Sequence, residues 1–344
     1  MDEIESSLGF PATASAHNML YSIVFLAACT VTNAYVVVRP AVMSPRAAHP
    51  RMATIEAAPP EGFTWATFGD EAPAAPPAIL PVAASKVVVH ADADAVGDAV
   101  WERVEAAAKK AVAARGHFAL GIPGGSVLKM LKSAPSWADK CTLAYVNHKA
   151  VPMDDAALAT HAKAGKLFLD SWDGVNAIIM NGSGDAAAEA TSYEAQLQAL
   201  SADVLPRDAS GTPVFDMMLI GVGDDGHVGS LYPGRDEVLD ASGRWVLPVE
   251  MKVPGSITLS LPVMANAKEV IIAACGVSDK YPQGKSAAMA QGIEGEETPS
   301  TFPAVGLREV ATWHLDTAAA STLSVDYAES FKLVASRGDC NPPP

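Results

Sequence analysis

Cysteine is scarce in this chain and scattered. Cys29, Cys141, Cys275 and Cys340 are the four present, and none forms a C-x-x-C pair. Neither a zinc ligand set nor a disulfide framework is indicated, and the usage suits a reducing compartment. Positive charge is also short: 24 Lys and Arg stand against 39 Asp and Glu, for a net charge of −15. That balance argues against nucleic acid and anionic membranes as partners. Internal repeats are lacking as well. What the chain does hold is apolar residues, at 49% of 344 positions. This is ample for a large core and too much for global disorder.

Apolar runs and amphipathic stretches alternate after residue 82. Short strands are expected at 86–90, 117–122, 142–146, 177–180, 215–222, 257–261 and 269–275, with a closing strand–helix pair near 312–323. Helices are expected at 95–115, capped by Asp92 or Asp94 and stopped by Gly116, and at 154–169, 185–200, 262–268 and 279–291. Strands separated by helices of this length predict an α/β fold. It should be a mostly parallel, Rossmann-like, doubly wound sheet with helices on both faces, in a single large domain over 82–330. Ligands in such sheets bind beyond the C-terminal strand ends.

The densest chemistry lies in Phe215-Asp-Met-Met-Leu-Ile-Gly-Val-Gly-Asp-Asp-Gly-His-Val-Gly-Ser-Leu-Tyr-Pro-Gly234. An apolar strand opens there into a glycine-rich turn that presents Asp224, Asp225 and His227. His227 is suited to act as a general base, and Asp225, two residues earlier, can fix its tautomer. Asp224 is expected to face solvent or cap the turn. Gly221, Gly223 and Gly226 also spell G-x-G-x-x-G, with Asp240 near the distance at which a ribose is met. A pyrophosphate, however, needs bare backbone N–H groups where two carboxylates stand, and Pro233 stops any following helix. A dinucleotide site is therefore the weaker reading.

The whole string resembles the signature of the 6-phosphogluconolactonases, G-x-G-x-D-G-H-x-x-S-L-F-P. Gly221, Gly223, Asp225, Gly226, His227, Ser230, Leu231 and Pro233 match, with Tyr232 in place of the phenylalanine. The related glucosamine-6-phosphate deaminases read D-G-H-I-G-F-N-E-P, and Ser230-Leu231-Tyr232 supplies no such glutamate. Gly121-Ile-Pro-Gly-Gly-Ser126 is similar to the family's glycine–serine phosphate loop, and Ser256-Ile-Thr-Leu-Ser-Leu-Pro262 to its R-I-T-L-T-L-P. Phe302-Pro-Ala-Val305 and Thr312-Trp-His-Leu-Asp-Thr-Ala-Ala-Ala-Ser321 are similar to its closing stretch. The resemblance spans about residues 85–325. It implies hydrolysis of a small phosphorylated sugar lactone, 6-phosphogluconolactone, to 6-phosphogluconate in the oxidative pentose phosphate pathway, with neither metal nor cofactor. His227 would activate water with Asp225 orienting it, and Gly124, Gly125, Ser126, Lys149, Gly226 and Lys280 would bind the substrate. Lys285 could take the place of Lys280.

Some positions depart from the pattern. The family's D-E-R-x-V-P is here Asn147-His-Lys-Ala-Val-Pro152. Lys149 keeps a positive charge but loses the bidentate fork of arginine. Asn147 stands where the deaminases place their proton-abstracting aspartate, which argues against that chemistry. The family's S-N pair falls on Leu158 and Ala159 unless the loop shifts toward Thr160 and His161, and the arginine of R-I-T-L-T is Ser256. These departures motivate an alternative, a non-catalytic sugar-phosphate-binding paralogue.

The first 81 residues differ in character from the rest. Positions 6–55 hold no Asp or Glu but include Arg39, Arg46 and Arg51. Met19–Ala28 is an apolar core of signal-peptide length, and Thr32-Asn-Ala34 offers small residues for cleavage. A bipartite leader over 1–56, of the kind that delivers proteins to plastids of secondary origin, is expected, with no stable membrane association after processing. The alternatives are a membrane span over Met19–Val38, broken by Thr30-Val-Thr-Asn33, and a mis-assigned start with a cytoplasmic protein, since Asp2, Glu3 and Glu5 do not suit a signal sequence. Residues 57–81 are an Ala/Pro-rich linker, and 331–344 a C-terminal tail.

Overall fold

The computed structural model describes residues 86–132, 134–277 and 284–324. The expected leader, linker and C-terminal tail, with Cys29, Cys340 and Lys280, lie outside the described residues. In order, the elements are β1 (Val87–His90), α1 (Ala93–Arg115), β2 (Phe118–Ile122), a 3-10 turn (Gly125–Met130), β3 (Cys141–Tyr145), β4 (Asn147–Lys149), α2 (Thr160–Leu167) and β5 (Asn176–Ala177). They continue with α3 (Ala186–Ala199), β6 (Met217–Ile220), β7 (Val246–Val249), β8 (Ser256–Leu259), α4 (Leu261–Ala265), β9 (Val270–Ala274), α5 (Ser286–Glu294) and β10 (Ala311–Asp316). None of the described helices is long and apolar enough to cross a membrane.

Local chemistry sets the ends of these elements. Asp92 begins α1 by accepting the Ala95 N–H at 2.9 Å, and Gly116, at a φ of 80°, ends it in the left-handed conformation. Asp185 begins α3 in the same way, accepting from Ala187 and Ala188. The strands alternate in whom they face. Met218 and Ile220 join α3, α4 and α5 in one apolar cluster, whereas Met217, Leu219, Phe118 and Leu120 join α1 and α2 in the other. The sheet is therefore covered on both faces, as the α/β reading expects.

Seven strands form a wholly parallel sheet in the order β1-β10-β9-β6-β2-β3-β5. The chain moves outward from β2 through β3 to β5, then returns to β6 on the other side of β2 and continues through β9 to β10. The connections leaving β2 and β6 thus run in opposite directions. In open α/β sheets such a reversal is where ligands bind, beyond the C-terminal strand ends, and the two glycine-rich segments emerge there, directly after Ile122 and Ile220. At the other end of the sheet Asp216 accepts hydrogen bonds from Arg115, Lys268 and the Ala119 N–H. Burial would raise its carboxyl, but these donors hold it below the usual carboxylate range. Its role is to tie the start of β6 to the end of α1.

Several expectations are corrected. The strand expected at 257–261 leaves the parallel sheet and lies at the centre of an antiparallel one, β4-β8-β7, whose outer strands the sequence reading had not placed. The helix expected at 154–169 starts only at Thr160, because Asp155 folds the preceding residues into a turn by accepting from Ala157 and Leu158. The strand at 177–180 shortens to Asn176–Ala177, and the last helix is a set of turns at 317–322. The helix expected at 279–291 is Ser286–Glu294, with 279–283 outside the described residues.

Candidate active site

The loop after β6 is built around its glycines. The Gly223 N–H donates to the His227 carbonyl at 2.9 Å and the Gly226 N–H to the Gly223 carbonyl at 3.1 Å, closing a tight turn. Gly226 holds a φ of 81° with its α-carbon against the Phe302 ring, where a side chain would collide. The turn brings the Asp225 carboxylate to the His227 imidazole: Oδ1 lies 2.6 Å from Nδ1 and also accepts the His227 N–H at 3.1 Å. Burial would raise the Asp225 carboxyl, but the His227 N–H and ring outweigh it and hold it below its ordinary value. With Nδ1 protonated and turned to this carboxylate, Nε2 is left as the basic nitrogen. The imidazole is also stacked on Tyr232, with centroids 4.8 Å apart and planes 32° apart. Asp224 is exposed, as expected.

No helix follows this loop. Val228 instead bridges back to Val222 and to Leu231, and Asp240 accepts from Ser242 in a local turn. The dinucleotide reading therefore fails on geometry, since it needs a helix N-terminus facing the pyrophosphate.

The loop after β2 lies alongside. Gly124 is half-buried, whereas Gly125, at a φ of 81°, and Ser126 are exposed. They open a 3-10 turn rather than an α-helix. Asn147 joins the two loops: its Oδ1 accepts the Gly124 N–H at 3.5 Å and its Nδ2 donates to Ser230 Oγ at 3.2 Å. The Ser230 N–H in turn donates to Thr258 Oγ1 at 3.2 Å. The asparagine that reads as a departure in the sequence is thus a tether between the β2 loop, the His227 loop and the small sheet.

The cations sit on that sheet and immediately before α5. Lys149 on β4 is paired across the strands with Ser256 on β8, so two departures far apart in sequence are direct neighbours. Lys149 is half-buried and meets no carboxylate among the described residues. Of the two lysines weighed after β9, Lys280 lies outside the described residues, while Lys285 donates to the Val222 carbonyl at 2.6 Å, at the root of the His227 loop. The structure thus brings Gly124, Asn147, Ser230, Gly226, His227 and Asp225 together, with Lys285 at the base. Sequence reasoning passed over the bridging roles of Asn147 and Thr258 and the place of Tyr232 against the imidazole. It also passed over Lys252, whose ammonium lies 4.6 Å from the Tyr232 ring centroid. Among the described residues no group of three or more His, Cys, Asp or Glu side chains is placed to hold a metal.

Comparison with known proteins points one way. The family model described as glucosamine-6-phosphate isomerases/6-phosphogluconolactonase matches residues 91–314. The 6-phosphogluconolactonase of Rattus norvegicus is 31% identical over 238 residues, covering 64% of this chain and 86% of the rat protein. A protein of Oryza sativa subsp. indica named probable 6-phosphogluconolactonase 3, chloroplastic, is 29% identical over 236 residues, covering 62% and 69%. Among solved structures, the 6-phosphogluconolactonase of Leishmania guyanensis shares the fold. Its TM-score is 0.58 at 22% identity, covering 70% of this chain and 99% of that one.

Proposed function

The chain belongs to the glucosamine-6-phosphate isomerase/6-phosphogluconolactonase family, and from that premise we propose that it hydrolyses 6-phosphogluconolactone to 6-phosphogluconate using water activated by His227. The observation that carries this reading is the 2.6 Å contact between His227 Nδ1 and Asp225 Oδ1 at the reversal point of the sheet. Nε2 takes a proton from water as its oxygen attacks the lactone carbonyl. The ionised Asp225 stabilises the imidazolium so formed. Collapse of the tetrahedral intermediate breaks the bond to the ring oxygen, which recovers the proton from His227 and leaves the open acid. Gly124, Gly125, Ser126, Lys149 and Gly226 bind the substrate, with Lys280 or Lys285 as a further cation. Isomerase chemistry is disfavoured, because the Asn147 amide is committed to Gly124 and Ser230 and cannot abstract a proton.

The test uses the full chain with the lactone generated in place by a dehydrogenase and hydrolysis measured against the spontaneous rate. His227→Ala should lower kcat by roughly 10²–10⁴-fold. Equal turnover by the variant would sink the mechanism. A folded wild-type protein that binds 6-phosphogluconate without accelerating hydrolysis would instead be the sugar-phosphate-binding paralogue. Plastid delivery by residues 1–56 is a separate proposal, supported by the rice relative that is named as chloroplastic. Fusing residues 1–81 to a fluorescent reporter decides it, with plastid signal in favour and diffuse cytosolic signal against.

A further inference from the structure

The hairpin between β7 and β8 carries a lysine to which the lactonase reading gives no task. Lys252 Nζ lies 4.6 Å from the centroid of the Tyr232 ring and 3.4 Å from its phenol oxygen. The same ring lies 4.8 Å from the His227 ring. The ammonium and the imidazole thus contact the same aromatic ring. Lys252 is exposed and meets no carboxylate among the described residues, in a chain whose net charge is −15. Further along the same hairpin, Ser256 stands opposite Lys149, the other ammonium on this sheet without a carboxylate partner.

We propose that Lys252 is a substrate-binding residue whose ammonium, placed by Tyr232, shares the phosphoryl group with Lys149 and supplies the charge that Ser256 does not. A phosphate ester near neutrality carries close to two negative charges and three acceptor oxygens, so one lysine leaves it under-neutralised. The contact with the tyrosine face holds the ammonium while leaving N–H donors for the ligand. Holding it in place beforehand lowers the ordering cost at binding. The identity of the substrate rests on the lactonase reading, whereas the anion site itself does not.

Calorimetric titration of the full chain with 6-phosphogluconate and with gluconate, on wild type, Lys252→Gln and Lys252→Arg, tests the assignment. Lys252→Gln should bind 6-phosphogluconate about 10-fold more weakly, with a matching rise in KM for the lactone and a much smaller change in kcat. Lys252→Arg should recover most of the affinity, and gluconate binding should not distinguish the three proteins. Equal affinity of wild type and Lys252→Gln for 6-phosphogluconate overturns the assignment, as does wild type failing to bind it. A wild type that binds 6-phosphogluconate, loses affinity in Lys252→Gln and yet hydrolyses no lactone overturns the lactonase reading while upholding the anion site.

Discussion

Gly223 and Gly226 show how much of a site can rest on missing side chains. Each would meet a neighbour if it carried a Cβ, but the neighbours differ. At Gly223 they are the His227 Nδ1 and Asp225 Oδ1 atoms, the pair itself. At Gly226 the neighbour is the Phe302 ring, and the backbone there is left-handed. Gly223→Ala should therefore act on chemistry, displacing the imidazole and lowering kcat by about 10²-fold with little change in melting temperature. Gly226→Ala should also lower stability, by roughly 1–3 kcal/mol, because it adds backbone strain to overlap. Steady-state kinetics and thermal unfolding of the two variants separate these effects. A Gly223→Ala protein with wild-type kcat would show that the pair is not held as tightly as its geometry requires.

At the level of elements, legibility followed periodicity. The strands of the parallel sheet announce themselves as apolar runs such as Met217–Ile220, and α1 as an amphipathic run between Asp92 and Gly116. The outer strands of the small sheet gave no comparable signal. β4 is Asn147-His-Lys149, without apolar alternation, and β7 carries Pro248, which ordinarily demotes a strand. Pro248 is tolerated because β7 is the edge of its sheet. The Asp225–His227 turn was readable from its motif, since its contacts are local. The pairing of Lys149 with Ser256 was not, because register across 107 positions is a tertiary property. That pairing carries a prediction of its own. Side chains directly opposite on neighbouring strands share a face, so Ser256→Arg places a guanidinium beside Lys149. In the Lys252→Gln background it should restore most of the lost affinity for 6-phosphogluconate. A double variant no tighter than Lys252→Gln alone would show that position 256 does not reach the phosphate.

Over the whole molecule, acid stability should be set by histidines rather than by carboxylates. Burial is the first cause that lowers the proton affinity of His90, His117, His148, His161 and His314 below the ordinary histidine value. His148 shows why a second proton is unwelcome: Nδ1 lies 2.7 Å from the Lys149 carbonyl, while Nε2 accepts the His161 N–H at 3.0 Å at the start of α2. His314 is pushed down to about 4 by burial, with smaller contributions from His90, 3.1 Å away, and from Arg103. A group that binds its proton more weakly when folded adds stability in full above its unfolded pKa, near 6.5 for histidine. That stability is lost as pH falls through the folded value. For His314 alone the difference is on the order of 3 kcal/mol. The melting temperature should hold steady from pH 8 to 7 and decline between about 6.5 and 4, before the depressed carboxyls of Asp216 and Asp225 titrate. His314→Gln should flatten that limb, because the substitution removes the proton whose binding drives it. A melting temperature equal at pH 7 and pH 4.5 in the wild-type protein would mean that the buried histidines accept protons without opening the fold.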